Sequence, residues 1–361
     1  MKKLALAIAA GIALSATAAQ ARDNIEIVGS STVYPFSTSV AETFAKKTGN
    51  AAPKVESTGT GGGFKLFCSG AGIETPDVTN ASRRMKQSEL EDCTKNGVDK
   101  VTEVQVGFDG IAIANAKSAA DYDLSMKDLF MALAKTLPND KGEMVANPYK
   151  TWKEVNPALP DAKIEVLGPP PTSGTRDAFS EMVMEGGCKG IEALDAIHAE
   201  SKKLKEDGKA DEAKAKEKEH KAACTTMRED GAYIEAGEND NLIVQKLEAN
   251  PNALGIFGFS FLEQNNDKVK GSKVGGVAPT FETISDGSYP VSRPLFMYVK
   301  NAHVDQVKGI KEFVAEFTSE EAWGNDGYLA DKGLIPMPDA LRKEVAANAA
   351  EMKPLAADAL K

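Results

Sequence analysis

The sequence predicts an α/β protein that folds into two lobes, and three observations favour this prediction. The chain has 361 residues, and about 340 of them follow an N-terminal leader, which is more than one small core requires. Strand-like segments run into turns rich in Gly, Ser and Thr, and each turn leads into an amphipathic helix. Such strand–turn–helix units build α/β sheets that hold ligands at the carboxyl ends of their strands. A proline-rich arm, Pro169–Pro171, introduces a further loop of this kind in mid-chain.

The first 21 residues have the parts of a secretory signal peptide. Lys2 and Lys3 precede an apolar run, which ends in the small-residue motif Ala19-Gln20-Ala21. We therefore expect residues 1–21 to be removed, so that the mature chain begins at Arg22. The residue directly after the cleavage point is Arg22 and not Cys, so a lipid anchor there is not indicated. The apolar run is too short to favour a membrane span. These features predict a soluble exported protein, most simply a periplasmic one.

The composition is acidic. The formal net charge is −10, and loss of Lys2 and Lys3 with the leader leaves 41 basic against 53 acidic side chains, a net charge of −12. Nucleic acid is therefore not an expected partner, because it attracts basic surfaces. Any anion site must act locally, through backbone N–H dipoles and a few arginines, against an unfavourable overall field.

The chain has four cysteines: Cys68, Cys93, Cys188 and Cys224. In an oxidising compartment an even count indicates two disulfides. Three pairings are possible, and we favour the local ones, Cys68–Cys93 and Cys188–Cys224; free buried thiols are the alternative. The absence of a Cys-x-x-Cys pair and of a His cluster argues against a metal site, and no cofactor is predicted.

The first Gly/Ser/Thr loop is Gly29–Thr32. It follows Asn24–Val28, where apolar and polar residues alternate as in a strand, and it precedes a helix through Val40 and Phe44 that stops at Gly49. This arrangement directs backbone N–H groups toward a ligand beyond the end of the strand. A simple turn with a Ser cap is the alternative.

The second loop is Thr58–Gly63, between a strand at Pro53–Ser57 and a helix that begins near Phe64. Four glycines around Thr60 again allow backbone N–H groups to surround an anion. The loop lacks the Gly-Lys-Ser/Thr ending of a P-loop and the glycine spacing of a dinucleotide-binding fingerprint.

The third loop follows the proline-rich arm, which delivers the chain in an extended conformation. Ser173 or Thr175 can cap a helix that begins near Arg176, and Gly174 lets the backbone approach a ligand closely. Hydroxyls, backbone N–H groups and a guanidinium at the positive end of a helix dipole predict an anion site. An ordinary helix cap is the alternative.

Two buried strands, Val101–Val106 and Ile111–Ala114, are expected to flank a tight turn at Gly107–Gly110 and to carry the chain out of the first lobe. Asp77–Arg84 reads as a further strand-to-loop unit. Later segments predict helices near 122–133, 242–247, 307–318 and 341–352, and strands near 163–167, 253–259 and 289–299.

A Lys/Glu/Ala-rich tract occupies residues 190–223 approximately. Its apolar residues fall at helical spacing, and Gly208 interrupts it, which predicts two exposed helices in a hairpin tied at its base by Cys188–Cys224. A disordered charged insert is the alternative. His198 and His220 lie here, and the sequence assigns them no chemistry.

The order and spacing of these motifs resemble the periplasmic phosphate-binding proteins of ABC transporters, the PstS type, over nearly the whole mature chain. The motifs that carry the resemblance are Gly29–Thr32, Thr60–Gly63, Ala81–Arg83, Gly107–Gly110, Ser173–Asp177, Gly237–Asp240 and Tyr289–Leu295. The resemblance implies a type II periplasmic-binding fold, with two α/β lobes, two crossover strands and a ligand cleft. It divides the chain into lobe 1 (residues 22–108 and 276–361) and lobe 2 (residues 109–275).

The resemblance also implies a set of phosphate ligands, each supplying an amide or a hydroxyl. In this sequence they fall at Ser31, Thr32, Thr60, Gly61, Ser173, Gly174 and Thr175. Two positions depart from the family. Pro169 stands where some members carry Arg, and Arg83 stands where some members carry the Asp that accepts the phosphate proton. Arg83 and Arg176 are therefore the candidates for compensating charge.

Asp177 is the candidate proton acceptor, with orientation of Arg176 or Arg83 as its alternative role. The implied function is binding of phosphate by a monomer that delivers it to a membrane permease. Sulfate, molybdate or tungstate are alternative ligands. A serine hydrolase that uses Ser31 or Ser173 is a less favoured reading, because it needs a base, and His303 is the only His outside the charged tract.

Overall fold

The computed structural model describes residues 22, 24–237 and 240–360. The predicted leader, residues 1–21, lies outside the described residues, and so do Glu238 and Asn239 of one family motif. No helix of the described part is both long and apolar enough to cross a membrane.

The strands are short except for one near the middle of the chain and one near its end. They are β1 Glu26–Gly29, β2 Lys54–Ser57, β3 Val78–Ala81, β4 Val101–Ala116, β5 Asp123–Leu124, β6 Thr136–Pro138, β7 Met144–Ala146, β8 Val166–Gly168, β9 Tyr233–Glu235, β10 Leu254–Gly258, β11 Val269–Gly271, β12 Lys273–Val274 and β13 Ser292–Lys300.

The described residues also form fifteen α-helices. They are α1 Tyr34–Thr48, α2 Thr60–Phe67, α3 Gln87–Lys95, α4 Met126–Leu133, α5 Trp152–Val155, α6 Gly174–Phe179, α7 Glu185–Cys188, α8 Glu192–Glu206, α9 Ala210–Thr225, α10 Asp240–Ala249, α11 Phe259–Gln264, α12 Phe281–Ser285, α13 Ile310–Phe317, α14 Glu320–Trp323 and α15 Asp339–Ala350. A π-helical turn, Ser180–Met184, joins α6 to α7, and 3₁₀ turns occupy Asn301–His303, Ala330–Lys332 and Ala357–Leu360.

The main sheet runs in the order β2-β1-β3-β13-β4-β10-β8-β9. In lobe 1, β1 pairs in parallel with β2 and β3, and β13 runs antiparallel between β3 and the first part of β4. In lobe 2, the last part of β4 pairs with β10 and β11, and β10 continues through β8 to β9. The two lobes therefore share β4, and the fold is the two-lobe α/β arrangement that the sequence predicted.

The tight turn predicted at Gly107–Gly110 is wrong, because β4 is one continuous strand of 16 residues. Its backbone is paired through this region: Phe108 exchanges hydrogen bonds with Ile335, and the Ile111 N–H donates to the Val291 carbonyl. Gly107 has a φ of +153°, and a Cβ there would lie 2.8 Å from the Ile335 carbonyl oxygen. Glycine here allows a close approach between β4 and the segment that contains Ile335, rather than making a turn.

The charged tract forms the predicted hairpin of α8 and α9. The Ser201 hydroxyl of α8 donates to the Ala213 carbonyl of α9 at 3.0 Å, and Leu194 of α8 and Ala213 of α9 are both buried. The structure also contains both predicted disulfides, Cys68–Cys93 and Cys188–Cys224. The second one ties the end of α7 to the end of α9 and so closes the base of the hairpin.

Candidate functional site

Two adjoining cavities of about 460 and 590 Å³ lie between the lobes. They share Gly59 of lobe 1 and Glu181, Glu185 and Lys221 of lobe 2, and we refer to them together as the interlobe cleft. The predicted site residues that line it directly are Ser31, Thr60, Gly61, Arg83, Arg176 and Asp177. The other predicted residues lie next to these in the same loops.

The first loop turns sharply between β1 and α1. Gly29 has a φ of +125°, and a Cβ there would lie 2.2 Å from the Asn80 carbonyl oxygen, so only glycine fits. Ser30 is buried, and its Oγ accepts from the Thr32 N–H at 3.2 Å. The Ser31 side chain is left to face lobe 2, where its Oγ donates to Asp177 Oδ2 at 3.1 Å.

The second loop packs directly on the first. A Cβ on Gly63 would lie 2.6 Å from Gly29 Cα, which explains why this position in the glycine run must be small. Gly59, with a φ of +72°, starts α2 at Thr60. The Thr60 Oγ1 accepts from the Ser82 N–H at 3.1 Å and lies 3.0 Å from the Ser82 Oγ. The start of α2 and the end of β3 are thus held at the cleft together.

The third loop places α6 against lobe 1. Ser173 caps the helix, accepting from the Thr175 N–H at 3.2 Å, so α6 begins at Gly174 rather than near Arg176. A Cβ on Gly174 would lie 3.6 Å from the Ser31 carbonyl oxygen. The three Gly/Ser/Thr loops, which are far apart in sequence, are therefore neighbours in the structure.

Arg176 lies over the ring of Tyr233, with its Cζ 4.3 Å from the ring centroid. Its Nη1 donates to the Pro169 carbonyl at 3.2 Å, and the Tyr233 hydroxyl donates to the same oxygen at 2.7 Å. Burial raises the pKa of Tyr233 to about 12, with the charge of Arg176 acting in the opposite direction. The proline arm thus fixes the guanidinium through its backbone.

Arg83 lines the larger cavity, but its guanidinium is already paired. It forms a bidentate ion pair with Glu89, with N–O distances of 2.7 and 2.9 Å, and it lies 5.5 Å from the Phe64 ring centroid. Its side chain is 36% exposed. Glu89 therefore neutralises much of the charge that Arg83 brings to the cleft.

Arg293 is a cation of the cleft that sequence reasoning did not single out. It is the second residue of β13, where it is the direct partner of Asp109 on β4, and its side chain is only 11% exposed. Its Nη2 donates to Thr32 Oγ1 at 2.9 Å, and its Nη1 pairs with Glu181 Oε2 at 2.6 Å. Arg293 thus contacts both lobes, through Thr32 in lobe 1 and Glu181 in lobe 2.

Asp109 supplies the charge behind Arg293. Its Oδ2 lies 3.4 Å from Arg293 Nε, and neither of these two buried atoms has a hydrogen-bond partner. Burial raises the pKa of Asp109, and the positive charge of Arg293 partly offsets this effect. The motif Ser292-Arg293-Pro294 indicated in the sequence that this segment is a strand. It did not show that the Arg293 side chain lines the cleft.

The cleft also contains acidic groups from one segment of lobe 2. Asp177, Glu181 and Glu185 lie about one helical turn apart and line the cavities. Burial raises the pKa of Glu185, and the nearby charge of Lys221 on α9 opposes it. The cleft therefore offers hydrogen-bond donors from three loops, several cations, and carboxylates able to accept a proton.

His303 is not placed to serve as the base of a serine hydrolase. Its ring is fully buried in lobe 1. Its Nδ1 lies 2.6 Å from Asp77 Oδ1, and its Nε2 lies 3.1 Å from the Ala71 carbonyl. Both ring nitrogens are thus engaged, and a base in this position cannot activate Ser31 or Ser173.

The chain is similar to known proteins in both sequence and structure. A family model described as a PBP superfamily domain matches residues 14–321. The phosphate-binding protein PstS of Staphylococcus haemolyticus is 32% identical over 321 residues, 88% of this chain and 82% of the relative. Protein SphX of Synechococcus elongatus is 29% identical over 318 residues, 86% of this chain and 76% of the relative. The crystal structure of a possible phosphate-binding protein from Planctomyces limnophilus superposes with a TM-score of 0.70 at 28% identity, covering 92% of this chain and 99% of that one.

Proposed function

Because the chain belongs to the PBP superfamily and to the family of PstS phosphate-binding proteins, we propose that it captures inorganic phosphate in the interlobe cleft and delivers it to the permease of an ABC transporter. Its PstS relatives are phosphate-binding proteins by name, and no enzyme is among the relatives compared. Cleavage of the leader would release the mature chain into the periplasm, where it acts as a monomer with no cofactor.

The observation that carries this proposal is the meeting of three Gly/Ser/Thr loops at one cleft. A phosphate ion has four oxygens, and helix starts with free N–H groups are favourable surroundings for them. We infer that the loops supply these donors. The proposed ligand set is Ser31, Thr32, Thr60, Gly61, Ser173, Gly174 and Thr175.

The anion also needs positive charge, because the chain as a whole is acidic. We propose Arg176 and Arg293 as the main sources and Arg83 as a weaker one. Arg293 is well placed because it is nearly buried and touches Thr32. Ion pairs strengthen when water is excluded, so Arg293 contributes more than Arg83, which is more exposed and already paired with Glu89.

Carboxylates in the cleft supply selectivity. Phosphate carries at least one proton at neutral pH and can donate it, whereas sulfate cannot. An acceptor such as Asp177, which lies opposite Ser31, would be left unpaired and repelled by sulfate. Glu181 lines both cavities and is the second candidate for this role.

Calorimetric titration with phosphate, sulfate and molybdate tests the proposed function. We expect one phosphate per chain, bound with a dissociation constant in the micromolar range or below, and weak binding of the other two anions. Tighter binding of sulfate or molybdate would assign the cleft to that anion, and no binding of any of the three would overturn the proposal. The Ser69→Ala variant should bind phosphate as the wild type does, because Ser69 is exposed and its hydroxyl bonds only to the nearby Leu66 carbonyl.

A further inference from the structure

A cluster of metal-ligating residues lies at the base of the α8–α9 hairpin, among residues that the phosphate cleft does not use. The Sγ atoms of Cys188 and Cys224 and a ring nitrogen of His220 all lie within 4.8 Å of one another. His220 precedes Cys224 by four residues on α9, so the two side chains share one face of the helix. The His220 Nε2 is 3.5 Å from the Cys224 Sγ.

The neighbouring helix brings a second imidazole to the same place. His198 of α8 stacks on His220, with ring centroids 4.9 Å apart and an angle of 31° between the ring planes. The hairpin thus gathers two sulfurs and two imidazoles from three helices, although the spacing of these residues in the sequence follows no zinc motif.

We propose that reduction of the Cys188–Cys224 disulfide converts this cluster into a site for a zinc-like divalent cation. The ligands are the thiolates of Cys188 and Cys224 and the Nε2 of His220, and the fourth position is taken by His198 or by water. Thiolate and imidazole are the preferred ligands of Zn²⁺, with metal–sulfur and metal–nitrogen distances of about 2.3 and 2.1 Å. In a tetrahedron these place S and N about 3.6 Å apart, close to the 3.5 Å between Cys224 and His220.

The redox step is a two-electron exchange. A dithiol reductant gives two electrons and two protons to the Cys188–Cys224 disulfide, forming two thiols, and is itself oxidised to a disulfide. Binding of the cation then displaces the two thiol protons. The metal replaces the covalent link between α7 and α9, so the hairpin stays closed at its base. The Cys68–Cys93 disulfide serves as an internal comparison, since no His belongs to a metal-ligating group with it among the described residues.

Metal binding to the full mature chain tests this proposal, with Co²⁺ as a spectroscopic probe and Zn²⁺ as its competitor. After reduction by a phosphine, we expect one Co²⁺ per chain with a thiolate-to-cobalt charge-transfer band, and no such band in the oxidised protein. His220→Ala should weaken binding at least about tenfold, because a ligand is lost. Cys68→Ser/Cys93→Ser should bind as the wild type does, and Cys188→Ser/Cys224→Ser should not bind.

Three results would overturn the proposal. The first is a dissociation constant for Co²⁺ above about 10 μM in the reduced protein. The second is unchanged binding in His220→Ala, and the third is binding retained in Cys188→Ser/Cys224→Ser. Helical content followed by circular dichroism separates binding from unfolding. We expect it to be kept or restored when the metal is added to the reduced protein, and a loss that metal does not reverse would also count against the site.

Discussion

The Ser31 hydroxyl of lobe 1 donates a hydrogen bond to the Asp177 carboxylate of lobe 2, with 3.1 Å between Oγ and Oδ2. Arg293 makes a parallel link, since it contacts Thr32 in lobe 1 and Glu181 in lobe 2. Both links join a donor that faces the cleft to a carboxylate of the segment that follows the proline arm. The contacts between the lobes and the proposed recognition of phosphate therefore involve the same side chains.

Asp177→Asn should shift the preference of the protein from phosphate toward sulfate. An amide keeps the shape of the side chain but removes the negative charge that we propose repels sulfate and accepts the phosphate proton. A hydrogen bond to a charged group contributes about 1.5–3 kcal/mol, so the ratio of the two dissociation constants should change at least about tenfold. Competition calorimetry with both anions measures this ratio.

Asp161→Asn is the control for this experiment, because Asp161 is exposed and pairs only with Lys153. An unchanged ratio in Asp177→Asn would mean that the acceptor lies elsewhere. Glu181→Gln would then be the variant to examine, since Glu181 lines both parts of the cleft.

Arg293→Ala should weaken phosphate binding more than Arg83→Ala does. Arg293 is 11% exposed and bonds to Thr32, whereas Arg83 is 36% exposed and already paired with Glu89. We expect a loss of at least about tenfold for Arg293→Ala, the range of a charge-assisted hydrogen bond, and a smaller loss for Arg83→Ala. Titration calorimetry of the two variants gives the comparison directly.

Loss of Arg293 also leaves Asp109 buried beside an empty position, which would lower stability. Adding Asp109→Asn to Arg293→Ala removes that buried charge. The double variant should recover most of the melting temperature but not the affinity. Recovery of both would show that Arg293 acts only on the fold, and a larger defect in Arg83→Ala would reverse the ranking of the two arginines.

Local chemistry made much of this structure predictable. Ser173 was identified as a possible cap from the Ser-Gly-Thr pattern, and the structure has its Oγ capping α6. The hairpin and its disulfide followed from helical spacing and from the position of Gly208 and the cysteines. These features depend on residues close in sequence, so propensity and capping are sufficient to find them.

Other features that depend on distant residues were not predicted. Gly107-Phe108-Asp109-Gly110 has the composition of a turn, yet β13 and Ile335 hold it extended. Arg293 lies at the cleft because β13 returns beside β4, and Arg83 turns to Glu89 because α3 begins next to it. Strand order and side-chain direction follow from tertiary pairing, which outweighs local preference.

Thr60→Ala and Ser173→Ala should each weaken phosphate binding by about tenfold to a hundredfold, if each hydroxyl donates to the anion. Both hydroxyls also accept bonds within the protein, from the Ser82 N–H and the Thr175 N–H. Each variant should therefore lose about 1 kcal/mol of stability as well. Calorimetry and thermal melts distinguish the two effects.

Ser319→Ala provides the matched control for a lost cap. Ser319 accepts from the Ala322 N–H at the start of α14, away from the residues that line the cleft. It should lower stability by a similar amount and leave affinity unchanged. Normal affinity in both loop variants would show that Thr60 and Ser173 are helix and loop caps only.

The pH dependence of stability should carry the signature of Lys300, a buried lysine in lobe 1. Its side chain is fully buried, and its Nζ donates to the Gly70 carbonyl at 2.7 Å and to Thr75 Oγ1 at 2.5 Å. Burial lowers the pKa of Lys300 to about 8, although the carboxylates of Asp77 and Glu74 act to raise it. In the unfolded chain this amine titrates near its ordinary pKa of about 10.4.

Between these two pKa values the unfolded chain binds one more proton than the native protein, so stability rises with pH. Below about pH 8 both states are protonated, and the cost of burying the charge is present in full. Lys300→Met removes the titrating group and keeps an unbranched chain against Phe67. From pH 7.5 to 9.5 the free energy of unfolding of the wild type should therefore rise by about 2 kcal/mol relative to that of Lys300→Met.

Urea denaturation at several pH values measures this difference, in which the titration of all other groups cancels. Lys311→Met is the control, because Lys311 is 58% exposed and pairs with Asp305 on the surface; its stability should follow the wild type at every pH. If the free energy of unfolding of Lys300→Met also changes with pH as that of the wild type does between pH 7.5 and 9.5, Lys300 keeps its proton in the native protein throughout this range. The hydrogen bonds to Gly70 and Thr75 would then outweigh the cost of its burial, which is the opposite of what we expect.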